Sequence, residues 1–189
     1  RKTKADKVPL QIVERGEFFG DIMHADICGE IVPNSSSGHK YLFVLIDSRT
    51  RWLEVTPLKT LTTKEMIAAL IQICCRIGII KTLITDNGTI FTSALAKQVY
   101  SFLGIEVRHS TPYHPEGNSL VERVIGTVKK MLHHTIHGSG TDARKWHERL
   151  PLLCFAYRSV PHDTTGFTPF NLVYGRDVRG PLAIIQDAM

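Results

Sequence analysis

The chain has 189 residues, 43% hydrophobic and 22% charged, which is the size and composition of one globular domain with a full core. Its net charge of +5 permits contact with a polyanion such as DNA without demanding it. No apolar run approaches the roughly 20 residues of a membrane helix, and the polar start Arg1-Lys-Thr-Lys-Ala-Asp-Lys has no apolar signal core behind it.

Residues 1–20 are polar and basic, and we read them as a lead-in to a compact domain over 21–189. His24–Glu30 predicts a short strand. A turn cluster follows from Pro33 to His39. Tyr41–Ile46 is a continuous apolar run suited to a central strand covered on both faces. Trp52–Thr56 alternates up to Pro57, so the three segments predict an antiparallel meander. Thr62 and Thr63 cap an apolar helical face that reaches Ile77 and stops at Gly78. Thr82–Thr85 predicts a strand, Asp86-Asn-Gly a turn, Ser93–Leu103 a helix ended by Gly104, and Ile105–His109 a fifth strand. Thr111–Asn118 is a loop broken by two prolines. Helices are expected over Ser119–His134 and Arg144–Tyr157. Strands alternating with helices after a meander imply an α/β domain: a five-stranded mixed sheet with helices on both faces.

None of the four cysteines forms a CxxC pair, so reduced thiols are expected rather than a zinc knuckle or a disulfide framework. Cys74 and Cys75 fall on a predicted helix, as core or partly exposed surface. His133, His134 and His137 gather at a helix C-terminus, where the helix dipole favours histidine. Trp146 and Tyr157 suit packing at helix ends better than base stacking.

Three carboxylates stand out by position. Asp26 lies inside an otherwise apolar strand, where a charge is costly unless compensated. Asp86 ends the fourth strand, at the edge where α/β sheets place their clefts. Glu122 lies in the first turns of a helix. Each also has a plainer reading: a salt-bridged strand residue, a turn starter and a first-turn glutamate favoured by the dipole. Asp21 and Asp47 are rival ligands, Asp47 because it ends the second strand. Phosphoryl transfer on DNA can use two Mg²⁺ ions about 3.5–4 Å apart. Mg²⁺ takes oxygen ligands and keeps several waters, so three carboxylates on separate rigid elements are enough.

The residues flanking these carboxylates are more specific. Thr85-Asp-Asn-Gly-Thr-Ile-Phe-Thr-Ser93 and Ser110-Thr-Pro-Tyr-His-Pro-Glu-Gly-Asn-Ser-Leu-Val-Glu-Arg123 resemble the integrase core of retroviruses and long-terminal-repeat retrotransposons. Thirty-five residues separate Asp86 from Glu122, the spacing behind that family's DDE description. Phe155-Ala-Tyr-Arg-Ser159 and Thr165-Gly-Phe-Thr-Pro-Phe-Asn-Leu-Val-Tyr-Gly-Arg176 are similar to its gypsy-like branch.

The resemblance implies a ribonuclease-H-like fold. It implies Asp26, Asp86 and Glu122 as catalytic ligands of Mg²⁺ or Mn²⁺, with two ions when DNA is bound. It implies a DDE integrase that trims the 3′ ends of element DNA and then joins them to a target by strand transfer, in the nucleus after passage through the cytoplasm. Tyr113, His114, Pro115 and Glu116 match a loop that approaches the DNA ends, although Glu116 stands where glutamine is common. Lys129, two turns after Glu122, matches a DNA-contacting position. Ile125 stands where the family often has asparagine, and Gly126 weakens the helix by roughly 1 kcal/mol relative to alanine. The expected partners are element and target DNA and further copies of the chain, in a homodimer or higher multimer, with no membrane. The family's zinc-binding domain and a clear C-terminal DNA-binding domain are not recognised, so the chain reads as a fragment of a longer protein. The alternatives are a domesticated, catalytically silent integrase domain that binds DNA or protein, and a ribonuclease H.

Overall fold

The computed structural model describes residues 15–110, 119–137 and 142–180. Five strands form one sheet: β1 (Ile22–Gly29), β2 (Tyr41–Asp47), β3 (Leu53–Leu58), β4 (Thr82–Thr85) and β5 (Glu106–His109). Their order is β3-β2-β1-β4-β5. β1, β2 and β3 pair antiparallel, as the close spacing of three strand patterns predicts, whereas β4 and β5 run parallel to β1. The mixed sheet expected from the sequence is the sheet found.

Helices α1 (Thr63–Ile77), α2 (Thr89–Thr92), α3 (Ala94–Leu103), α4 (Ser119–His137), α5 (Leu150–Arg158) and α6 (Pro169–Tyr174) surround it, with a 3-10 helix over Ala143–Arg149 before α5. The boundaries of α1 follow its caps. Thr62 Oγ1 accepts the Glu65 N–H at one end, and Gly78 adopts φ 96 at the other. α3 is framed in the same way by Ser93 and by Gly104 at φ 69.

β2 explains the two-layered core. Its alternate residues Leu42, Val44 and Ile46 face one side, and Phe43 and Leu45 face the other, all of them fully buried. The Leu42 side packs with Val121, Val124, Val128 and Leu132 of α4 and with Leu150 and Leu153 of α5. The Phe43 side packs with Met66, Leu70 and Ile73 of α1 and with Ala96 and Tyr100 of α3. Each large apolar side chain buried in this way contributes roughly 1.5–3 kcal/mol.

Three details depart from the expectation. β3 does not stop before Pro57 but continues to Leu58, with Pro57 paired opposite Leu42. β3 is an edge strand, where a residue without an N–H is tolerated. The single helix expected over Arg144–Tyr157 is two pieces. Lys145 leaves helical geometry, and Pro151 sits in the first turn of α5, where its missing N–H is no loss. In mid-helix its ring would clash with the carbonyl four residues back, so the break falls there. Finally, α4 runs on past His134 to His137.

Candidate active site

β1 carries Asp26 on the same face as Cys28, the face that packs against α4. The side chain is half-buried and its Oδ1 accepts the Ile27 N–H at 2.7 Å. Among the described residues it forms no ion pair, so the salt-bridged reading of this aspartate does not hold.

Asp86 directly follows β4. The parallel register pairs His24 with Ile84, and continuing it by two residues sets Asp26 level with Asp86. Asp86 Oδ1 accepts the Gly88 N–H at 3.0 Å, closing the turn expected from Asp-Asn-Gly. A Cβ at position 88 would stand 2.9 Å from that oxygen. Glycine therefore lets the carboxylate lie close over the turn. The Asp86 carbonyl accepts the Thr85 hydroxyl at 2.8 Å and lies 3.1 Å from His109 Nδ1, which ties the end of β4 to β5. The same residue thus starts a turn and presents a carboxylate at the sheet edge.

Glu122 lies in the first turn of α4 and is exposed. Its relation to the two aspartates shows in the titration of Asp26. Burial raises that carboxyl above its ordinary value, and the Ile27 N–H opposes the rise. The charges of Asp86 and Glu122 add to it, and the Lys129 ammonium lowers it again. Lys129 acts on the Cys28 thiol as well, which burial raises. The end of β4 and helix α4 therefore bring Asp86, Glu122 and Lys129 within electrostatic reach of Asp26, two negative charges against one positive.

Such a set fits a hard divalent cation. All three donors are carboxylate oxygens, and a cation would offset both the burial and the lesser repulsion that lift the Asp26 carboxyl. Among the described residues no three His, Cys, Asp or Glu side chains close around a single point as a ready cage.

Asp26 and Asp86 also line a cleft of about 360 Å³ at this edge, with Gly29, Tyr41, Leu61 and Thr89 among its other walls. The sequence did not reveal these walls. The short helix α2 escaped detection because four residues are too few to show a helical period; Phe91, buried beneath it, was the available signal. Gly29 pairs opposite Tyr41, and a Cβ there would meet the tyrosine ring at 2.0 Å.

The rival carboxylates serve the backbone. Asp47, fully buried, accepts N–H groups of Gly20, Arg49 and Thr50 and the Thr50 hydroxyl. It pairs with Met23, three residues before Asp26 along β1, and so away from the cleft. Asp21 accepts the N–H groups of Glu17 and Phe18. Ile125 is buried against the sheet, which explains an apolar residue at that position. Trp146 is buried and donates Nε1–H to the Pro33 carbonyl at 2.9 Å, a packing role. The thiols are free, with Cys74 buried and Cys75 exposed. The rings of His133 and His137 lie 4.3 Å apart at the end of α4. Tyr113, His114, Pro115 and Glu116 lie outside the described residues.

A family model described as the integrase core domain matches residues 20–115, half of the chain. The chain belongs to the integrase core domain family. Its relatives include the Pol polyprotein of radiation murine leukemia virus (strain Kaplan), 35% identical over 139 residues. That match covers 73% of this chain and 23% of the polyprotein. The Pro-Pol polyprotein of simian foamy virus type 3 (strain LK3) is 30% identical over 175 residues, covering 93% of this chain and 15% of the polyprotein. The integrase core thus spans less than a quarter of the length of these relatives.

Solved structures establish its fold. A simian T-cell lymphotropic virus intasome, in complex with PP2A regulatory subunit B56 gamma, superposes with a TM-score of 0.76 at 21% identity, over 95% of this chain and 62% of that one. The HTLV-2 integrase catalytic core domain in complex with magnesium, in its trimeric form, gives 0.67 at 20% identity, over 85% of this chain and 100% of that one. The fold is that of integrase catalytic cores, ribonuclease-H-like.

Proposed function

We propose that this integrase core is a metal-dependent DNA polynucleotidyl transferase, with Asp26, Asp86 and Glu122 as its catalytic carboxylates and Mg²⁺ or Mn²⁺ as its cofactor. The observation that supports the reading is that Asp86, at the end of β4, continues the register level with Asp26 and lines the same cleft, while the charges of Asp86 and Glu122 add to the rise that burial imposes on the Asp26 carboxyl. A divalent ion bound there supplies Lewis acidity toward phosphate oxygens and lowers the pKa of bound water. Asp26 lies on the central strand β1, Asp86 follows β4 and Glu122 opens α4, and Lys129 adds a positive charge felt at Asp26 that suits a phosphate.

The reaction class follows from the family. Water trims a 3′ end, and the freed hydroxyl then attacks a target phosphodiester, both as in-line displacements at phosphorus. Element and target DNA are the proposed substrates and the nucleus the proposed compartment. The neighbouring HTLV-2 core is recorded in dimeric and trimeric forms, and we extend multimerisation to this chain. Exposed Leu152, Val160, Phe167 and Tyr174 along α5 and α6 supply apolar surface for it.

The test is strand transfer or disintegration on branched DNA with Mg²⁺ or Mn²⁺, compared with Asp86→Asn. Wild-type turnover that the substitution reduces by orders of magnitude is the expected result. Equal activity in both proteins would contradict the role given to Asp86, and DNA binding without turnover would favour a silent binding module. Cleavage confined to RNA–DNA hybrids would identify a ribonuclease H.

A further inference from the structure

On the far flank of α4 lies a second cavity, of about 200 Å³, between the β2–β3 turn, α4 and the turn after α5. Its walls include Arg51, Arg123, Tyr157, His162, Asp163 and Thr164. Arg51 is only 6% exposed, and among the described residues nothing accepts from its Nε or from one of its terminal nitrogens. The Tyr157 hydroxyl, in a side chain equally buried, likewise has no partner. Buried donors of this kind are costly to leave unsatisfied, a buried guanidinium above all. Arg51 is moreover held at φ 63, which a side chain with a Cβ adopts only at some cost.

The nearby charge does not quench this donor set. Asp47, close in the same turn, already accepts four hydrogen bonds. Asp163 is exposed, and among the described residues lining the cavity it is the carboxylate that would oppose an anion. Arg15 and Arg123 add positive charge around Arg51, and burial together with Arg51 lowers the His162 pKa against the opposing charge of Asp163. The turn bearing His162 is rigid: its carbonyl accepts the N–H groups of Thr165 and Gly166, and its own N–H donates to Phe167.

We propose that this cavity is a binding site for a phosphate oxyanion, held by the Arg51 guanidinium and the Tyr157 hydroxyl with Arg123 and Thr164 at its edge. A guanidinium presents parallel N–H donors matched to phosphate oxygens. A volume of about 200 Å³ admits such an ion with several waters, each water occupying about 30 Å³. The occupant is a free phosphate or a backbone phosphodiester of DNA. The cavity wall includes Arg123, the residue after Glu122 on α4, but the site does not rest on the transferase reading.

The experiment compares wild type with Arg51→Gly and Tyr157→Phe. Glycine suits the backbone at position 51 and removes a buried charge, so this variant should fold with an unchanged or higher Tm. Should it fail to fold, Tyr157→Phe, which removes only an unpartnered hydroxyl, carries the comparison. At constant ionic strength, inorganic phosphate in place of chloride should raise the wild-type Tm by several degrees. The shift should vanish in Arg51→Gly and shrink in Tyr157→Phe. A second arm measures binding of a fluorescent DNA duplex against salt. If the occupant is a phosphodiester, the slope of log K against log salt falls by about 1 in Arg51→Gly. An unchanged slope with a lost phosphate shift assigns the cavity to free phosphate. The proposal is overturned if neither the phosphate shift nor the salt slope differs between wild type and the variants.

Discussion

Gly29 shows how one missing Cβ shapes the cleft beside Asp26. The Tyr41 ring lies where that atom would be, and Tyr41 and Gly29 together wall the cleft. Gly29→Ala should therefore push the ring aside and destabilise the fold by about 1–3 kcal/mol. Chemical denaturation measures this, and a loss below a few tenths would mean the ring moves freely. Tyr100 offers a test by pH. Burial lifts its phenol from 10.0 to about 12, so the fold favours the neutral form. Its contribution is complete below pH 10 and is lost as pH rises through about 12. Tyr100 OH has no partner among the described residues. Tyr100→Phe should hold its Tm at neutral pH and keep more of it than wild type above pH 10, as thermal melts across that range will read. The three carboxylates were singled out in the sequence by the residues flanking them, since position on a strand, a strand end and a helix start left each with a plainer reading. Arg51 was not, because its burial depends on α4 and on the turn after α5, far away in sequence.

Among the elements, α4 joins the site to the core. Its buried stripe of Val121, Val124, Ile125, Val128 and Leu132 seats it on the sheet and so fixes Glu122. Gly126 lies among β-branched residues of modest helix propensity, yet the helix runs through it, and a Cβ there would meet nothing within 4 Å. Gly126→Ala should stabilise the chain by about 1 kcal/mol, read as a shift of the denaturation midpoint at constant slope. A destabilised variant would show that glycine serves a contact there. Caps made α1 and α3 legible almost to the residue, since Thr62, Gly78, Ser93 and Gly104 act locally. The break before α5 was also written locally, in Pro151, but the helical pattern on both sides masked it.

For the whole molecule, the two cores show why a strand order could be read and a tertiary anchor could not. The apolar run of β2 announces burial on both faces. Nothing local announces that Glu54, on the edge strand, accepts from Arg76 of α1, Arg158 of α5 and the Trp52 indole. That cluster around the buried Glu54 ties both helical layers to one strand, and a single sequence does not expose such long-range pairs. The same holds for the carboxylates, whose convergence is a product of the fold. If Asp26, Asp86 and Glu122 form one divalent-cation site, Mg²⁺ binding must stabilise the folded chain through all three. The decisive measurement is Tm against Mg²⁺ concentration, at constant ionic strength, for wild type and for Asp26→Asn, Asp86→Asn and Glu122→Gln. The account predicts a Tm that climbs with Mg²⁺ in wild type and stays nearly flat in each variant, with the metal-free Asp26→Asn protein melting higher than metal-free wild type because the repulsion is gone. A wild-type Tm indifferent to Mg²⁺, or variants that climb as wild type does, would contradict it.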